Sequence, residues 1–197
     1  MEFPDRIQSP RLLIRAPRWG DGPALNAAVC ESFEALKPWM PWAQKTPTLE
    51  ESEEVARRAH LKYWAREEFT LQFWLRDPQT NRETLLIGGG GLVRPDWSVP
   101  SFEIGYWCRT SHAGQGYISE AVRAISTLAF EHAAAERLHI RCDPRNERSR
   151  HVAQACGFAL EAHLRRDSRA TDGTLRDTLS FSLLREEWAA RENAGNI

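Results

Sequence analysis

The chain has 197 residues, 42% hydrophobic and 27% charged, with a formal net charge of −1. That length supports one globular domain with a real core, and near-neutrality argues against a nucleic-acid binder held by a general basic field. No apolar run approaches a membrane span, the N-terminus MEFPDRIQSPR is polar and carries acids, unlike a secretory signal, and Cys30, Cys108, Cys142 and Cys156 are scattered without C-x-x-C spacing, as reduced thiols of a cytoplasmic protein are.

Taken in order, Arg11 to Arg15 (RLLIR) reads as a first strand after Ser9-Pro10. Asp21 or Gly22, with Pro23 in the first turn, opens a helix to about Cys30. Two prolines bracket Trp39-Met40 in the run Ala35-Leu36-Lys37-Pro38-Trp39-Met40-Pro41-Trp42, which is therefore extended or turning and not a helix interior. Thr48 followed by Glu51 is a capping-box signature. The helix it opens, about Leu49 to Arg66, sets Val55, Ala59 and Tyr63 at similar angles.

Strands follow. Phe69, Leu71, Phe73 and Leu75 alternate with Thr70, Gln72 and Trp74. Asp77 to Arg82 is a turn, and Thr84 to Val93 is a strand containing Gly88-Gly89-Gly90-Gly91. That glycine run lacks the Gly-Lys-Ser/Thr ending of a P-loop and predicts a bulge or a close backbone approach. After a loop to Pro100, Ser101 to Cys108 (SFEIGYWC) is a strand rich in aromatic and β-branched residues. Arg109 to Gly116 is polar and holds Gly114 and Gly116. From Tyr117 the period changes: Ile118, Ala121, Val122, Ile125, Leu128 and Ala129 share one helical face. Arg137 to Cys142 is a strand, and Asp143 to Asn146 is a turn. Glu147 to about Cys156 is a helix with Gly157 at its C′ position. Phe158 to Arg166 and Leu175 to Leu184 form a hairpin around Asp172-Gly173. Asn193 to Ile197 reads as a frayed tail. The sum is β-α-α-β-β-β-α-β-α-β-β, and the expectation is a single α/β (α+β) domain over residues 1–197, with its core at about 10–188.

The strand–turn–helix from Ser101 to Arg123 carries the most chemistry. A helix start leaves about four N–H groups without intrahelical partners and holds partial positive charge. Gly114 and Gly116 let a ligand approach the backbone, so the junction suits phosphates without a lysine. Glu103 sits among Phe102, Ile104 and Tyr106. It is a candidate general base, directly or through water, or a polar-face residue paired with an arginine. Asn146 is a good helix N-cap, with Ser149 at the third helical position. Trp39 and Trp42 offer a rigid aromatic wall for an acceptor, or a plug between the first helices. Nothing in the sequence lowers the pKa of Cys108 or Cys156. The six histidines have no metal-ligand spacing.

Gly114-Gln115-Gly116-Tyr117 after Gly105-Tyr106-Trp107 resembles the acetyl-CoA loop of the GCN5-related N-acetyltransferases, in particular the RimJ/RimL type that acetylates ribosomal-protein N-termini. The family loop is usually written Q/R-x-x-G-x-G/A; here Ser111 stands at its first position. Asn146-x-x-Ser149-x-x-Val152 followed by Gly157-Phe158, Arg11 to Arg15 and Leu184 to Trp188 extend the resemblance over nearly the whole chain.

The resemblance implies a mixed sheet of about seven strands with a splayed central pair, flanked by about four helices. It implies acetyl-CoA as cosubstrate and no metal, with Gly114, Gln115, Gly116, Tyr117 and Ile118 around the phosphates. A bulge would free the backbone of Trp107, Cys108 and Arg109, with the thioester near Cys108. Asn146 would bond the pantetheine arm, Ser149 would serve the departing thiolate, Glu103 would take the amine proton, and Trp39 and Trp42 would border the acceptor. The implied acceptor is a peptide or protein N-terminal α-amine. A small-molecule amine and a catalytically silent acyl-CoA-binding module stay open, as do a monomer and a homodimer. At pH 7 an α-amine with pKa ≈ 7.7–8.0 is neutral about one time in ten and a lysine only about once in 2,500, a difference of about 3.5 kcal/mol that favours the α-amine.

Overall fold

The computed structural model describes residues 3–193 and 195; Met1, Glu2, Ala194, Asn196 and Ile197, and with them most of the expected frayed tail, lie outside the described residues. One eight-stranded sheet runs β1 (Arg6–Gln8), β2 (Leu12–Arg15), β3 (Phe69–Arg76), β4 (Glu83–Asp96), β5 (Ser101–Cys108), β6 (Arg137–Cys142), β8 (Leu175–Leu184), β7 (Ala159–Arg169), in that spatial order. Five helices accompany it: α1 (Gly22–Leu36), α2 (Leu49–Trp64), α3 (Tyr117–His132), α4 (Glu147–Ala155) and α5 (Arg185–Asn193).

The expected elements are present, with three differences. β1 is only three residues long and pairs antiparallel with β2. A segment that short shows no readable alternation. α1 runs to Leu36 instead of about Cys30, because Val29, Ser32 and Leu36 continue its buried face and Pro38 stops it. α5 is nine residues, polar apart from Ala189, Ala190 and Trp188, the last of which stacks on Phe130 with ring centroids 5.1 Å apart. Among the described residues the count is eight strands and five α-helices, with one 3-10 turn at Thr110–His112, against the expected seven and four.

Local chemistry accounts for the element ends. The Thr48 hydroxyl accepts from the Glu51 N–H at 3.2 Å and the Glu51 carboxylate accepts from the Thr48 N–H at 2.9 Å, closing the capping box of α2. Gly157 has φ +82°, and the Phe158 N–H behind it donates to the Ala153 carbonyl at 3.0 Å, terminating α4. The glycine run in β4 reflects close packing. A Cβ on Gly91 would lie 1.9 Å from the Phe69 carbonyl oxygen, and the β3–β4 register shifts between Phe73 and Trp74.

Strand alternation sorts the two faces of the sheet. Leu12, Ile14, Phe73, Ile87, Phe102 and Ile104 join the apolar side of α3 in the main core. Their neighbours Leu13, Trp74 and Leu86 pack with Ala28 of α1 on the opposite face. Trp107 belongs to that α1 face and Tyr106 to the α3 face. Between β2, β4 and α1, the Arg15 side chain, 1% exposed, is bonded through Nη1 and Nη2 to Asp21 at 2.7 and 2.8 Å and through Nε and Nη2 to Glu83 at 2.6 and 3.0 Å.

The decisive topological feature lies at the centre. β5 and β6 run parallel and pair only at Ser101–Arg137, Phe102–Leu138 and Glu103–His139. Beyond Glu103 they diverge, while β5 stays in unbroken register with β4 as far as Cys108. The bulge that the resemblance led us to expect near Trp107 is therefore absent from the β4–β5 ladder. Backbone groups are freed there by the departure of β6.

Candidate active site

Arg109 N–H donates to the Ile87 carbonyl at 2.8 Å, so it points toward β4. Successive residues of a strand alternate, which turns the N–H groups of Tyr106 and Cys108 toward the open side left by β6. Of the three backbone positions singled out in the sequence, Cys108 thus faces the opening, whereas Trp107 and Arg109 are turned to β4. The Arg109 side chain is also engaged, donating to Glu31 at 2.6 Å. Glu31 further accepts from the Ser111 N–H at 3.0 Å, and the hydrogen bonds from Ser111 together with the Arg109 guanidinium hold its carboxyl down at about 2. This pins the loop after β5 to α1. Ser111, the position at which the loop departs from its pattern, contributes its backbone N–H to that pin.

The loop then enters α3 through Gly114 and Gly116, at φ +77° and +79°. A residue with a Cβ pays about 1–2 kcal/mol in this conformation. No side chain caps α3, so the N–H groups of its first turn, at Tyr117 and Ile118 among others, have no intrahelical partner. Arg11 braces the junction from a distance in sequence that no local pattern reveals. Its guanidinium lies 4.3 Å from the Tyr117 ring centroid, donates to Glu120 at 2.6 Å and to the Gln115 carbonyl at 3.0 Å.

At the other side of the opening stands α4. Asn146 caps it, its carboxamide oxygen accepting from the Ser149 N–H at 3.1 Å, which leaves the Nδ2 hydrogens to offer a ligand. The Ser149 hydroxyl lies 2.9 Å from Tyr106 Oη. Tyr106 stands in the sequence only as part of a motif and as a neighbour of Glu103. The structure places it on the border of the cleft, and burial drives its pKa upward, so it remains a neutral phenol.

Glu103 sits where β5 and β6 part, on the α1 face. Burial favours its neutral form, but the nearby His139 ring and the Arg94 guanidinium favour the carboxylate and prevail, and its pKa is lowered. Arg94 donates to it at 2.5 Å, and His139 Nε2 is 3.6 Å away. The carboxylate is paired with an arginine, as one of the two readings of the residue has it, and it borders the cleft.

That cleft, about 300 Å³, is bordered by Trp39, Glu103, Tyr106, Asn146 and Ser149, and by Arg176 of β8. It is roofed where Thr171 of the β7–β8 turn donates to the Pro38 carbonyl at 3.3 Å. Trp42 lies elsewhere, on a larger cavity of about 460 Å³ beneath α1 and α2, with its ring 6.2 Å from that of Trp107. The thiols of Cys108 and Cys156 are both pushed up by burial to about 11, so neither is an activated nucleophile. No cluster of metal-ligating side chains occurs among the described residues.

The residues fit an acyl-CoA. The positive-φ glycines and uncapped helix start suit a pyrophosphate, the open edge of β5 suits an amide-bearing arm, and Asn146 and the two hydroxyls lie farther along. A parallel pair forced apart above a phosphate cradle defines the class of protein to which this site belongs. The chain is a member of the acetyltransferase (GNAT) family, whose domain model matches residues 11–159. It is 40% identical over 86 residues to YdaF of Bacillus subtilis (strain 168), provisionally named a ribosomal N-acetyltransferase, a match covering 44% of this chain and 46% of that one. It is 37% identical over 84 residues to the ribosomal-protein-serine acetyltransferase of Escherichia coli (strain K12), covering 43% and 47%. The matched part thus spans about half the length of these curated relatives. Among solved structures, RimL, a ribosomal L7/L12 α-N-protein acetyltransferase in complex with coenzyme A, superposes with a TM-score of 0.79 at 21% identity, covering 94% of this chain and 98% of that one, a likeness of fold.

Proposed function

We propose that this protein transfers the acetyl group of acetyl-CoA to a primary amine, the α-amine at the N-terminus of a peptide or protein, within a ternary complex in the cytoplasm. The observation that carries the reading is spatial. The uncapped start of α3, the unpaired edge of β5 and the Tyr106–Ser149 hydroxyls follow one another along the opening, and Glu103 stands on the acceptor side. The relatives' names support a protein acceptor.

The cosubstrate supplies a thioester carbonyl. The chain supplies what surrounds it: the Cys108 N–H as a hydrogen-bond donor at the open edge, and hydroxyls to donate toward sulfur. The N–C bond forms as the C–S bond breaks; the amine proton leaves toward Glu103 or water, and sulfur takes one from the hydroxyl side. An amide donor aimed at developing negative charge is worth about 3–4 kcal/mol.

The test is thiol release from acetyl-CoA with a panel of peptides, lysine side-chain amines and small amines. The reading expects turnover of peptides with free N-termini and none when those are blocked. Acetylation confined to small-molecule amines would replace it, as would coenzyme A binding without turnover of any amine.

A further inference from the structure

The apolar stripe of α2 finds only part of a partner. Tyr63 is buried against Phe69 and bonded to the Pro4 carbonyl, but Val55 is 56% exposed and Ala59 is half-buried. Both border the 460 Å³ cavity, whose other walls include Leu25 and Val29 of α1, Trp42 and Trp107. It adjoins the Glu103 cleft, with Met40, Gly105 and Tyr106 bordering both.

Gly105 lies on that shared border. A Cβ there meets no atom within 4 Å, and its backbone is not left-handed. Its neighbours across the ladder differ: a Cβ on Gly90 would lie 2.3 Å from the Gly105 carbonyl oxygen, and one on Gly89 2.9 Å from Trp107 Nε1. Gly89 and Gly90 are small because the sheet is packed. Gly105 is small where the protein has nothing to pack, and the open space beside it lies on the border that the two cavities share.

We infer that the acceptor amine carries a bulky apolar group beside its reacting nitrogen, such as the side chain of an N-terminal leucine, methionine or phenylalanine, and that this cavity holds it. The inference rests on the acetyl-transfer reading and names its substrate class. At ~30 Å³ per water the cavity would hold about fifteen waters against mostly apolar walls, with Lys45, Glu51, Glu68 and Gln72 also on its border. The methyl of alanine or the hydroxymethyl of serine displaces few of them. Each further methylene removed from water is worth about fourfold in affinity. The α2 stripe supplies the complementary surface, and the shared border at Gly105 keeps the attached nitrogen at the Glu103 side.

The experiment compares peptides identical except at residue 1, offered with acetyl-CoA. Expected is a kcat/KM for leucine, methionine or phenylalanine at least tenfold above that for serine or alanine, a ratio that Ala59→Trp, filling the wall, brings down toward one. The same peptides titrated into protein saturated with coenzyme A, a pair that does not react, should rank alike by calorimetry. A flat ranking, or preference for serine and alanine, in the parent protein overturns the assignment whether or not the variant folds. Bulky peptides that bind the coenzyme A complex without turning over would sink the acetyl-transfer reading and uphold the cavity. Failure of every peptide to bind would sink the cavity.

Discussion

Tyr106 Oη lies 2.9 Å from Ser149 Oγ and 3.1 Å from the Ser149 carbonyl oxygen, joining β5 to α4 across the opening where β6 has left. Either hydroxyl can be the donor in this contact, and the other then keeps its hydrogen for a ligand. Ser149→Ala is expected to lower kcat about 10²-fold while coenzyme A affinity changes little, and Tyr106→Phe to lower it at least as much. The double variant should be far from additive, because the pair acts as one unit. Steady-state kinetics on the two single variants and the double one decide this; additive losses would mean that the hydroxyls act separately.

Glu103 is held below its ordinary range, so it is ionised throughout pH 6–9. Turnover of a peptide acceptor should then rise with pH through the amine's own pKa of about 7.7–8.0, with no carboxylate inflection above pH 6. Stability from the pairing with Arg94 is present above the carboxylate's unfolded pKa and is lost as pH falls through the lower folded value. Removing the cation with Arg94→Ala should raise the Glu103 pKa and move the acid limb of the pH–rate profile upward. Glu103→Gln should cut turnover and keep coenzyme A binding; a profile matching the parent over pH 6–9 would remove Glu103 as proton acceptor.

Gly116 combines a φ of +79° with the entry to α3. Gly116→Val puts a β-branched side chain into a left-handed position and over the N–H groups of the first turn. Calorimetry should show coenzyme A affinity reduced at least tenfold, with some loss of stability. Unchanged affinity would take the phosphate cradle away from this loop.

Arg15 tests the frame that holds the acceptor side. Buried between Asp21 and Glu83 and 4.8 Å from the Trp74 ring, it ties β2 and β4 to the start of α1. Arg15→Leu leaves Asp21 buried without its cation, and a loss of about 3–5 kcal/mol is expected in urea unfolding. A loss under 1 kcal/mol would show that the network is dispensable.

Periodicity and capping chemistry made much of this protein legible from sequence. The boundaries of β5, β6 and β8, the α2 capping box and the glycine stop after α4 follow from interactions within a few residues, which is why one-dimensional spacing carries them. Asn146 and Ser149 were visible for the same reason, as cap and capped residue. Tertiary structure alone decided the rest. The separation of β6 from β5 beyond Glu103, the Tyr106–Ser149 contact, the reach of Arg11 to Gln115 and Glu120, and the cavity beside Val55 and Ala59 all join residues far apart in the chain. Such contacts depend on how rigid elements stack and diverge, and the apolar stripe of α2 looks the same in sequence whether it meets a core or an opening.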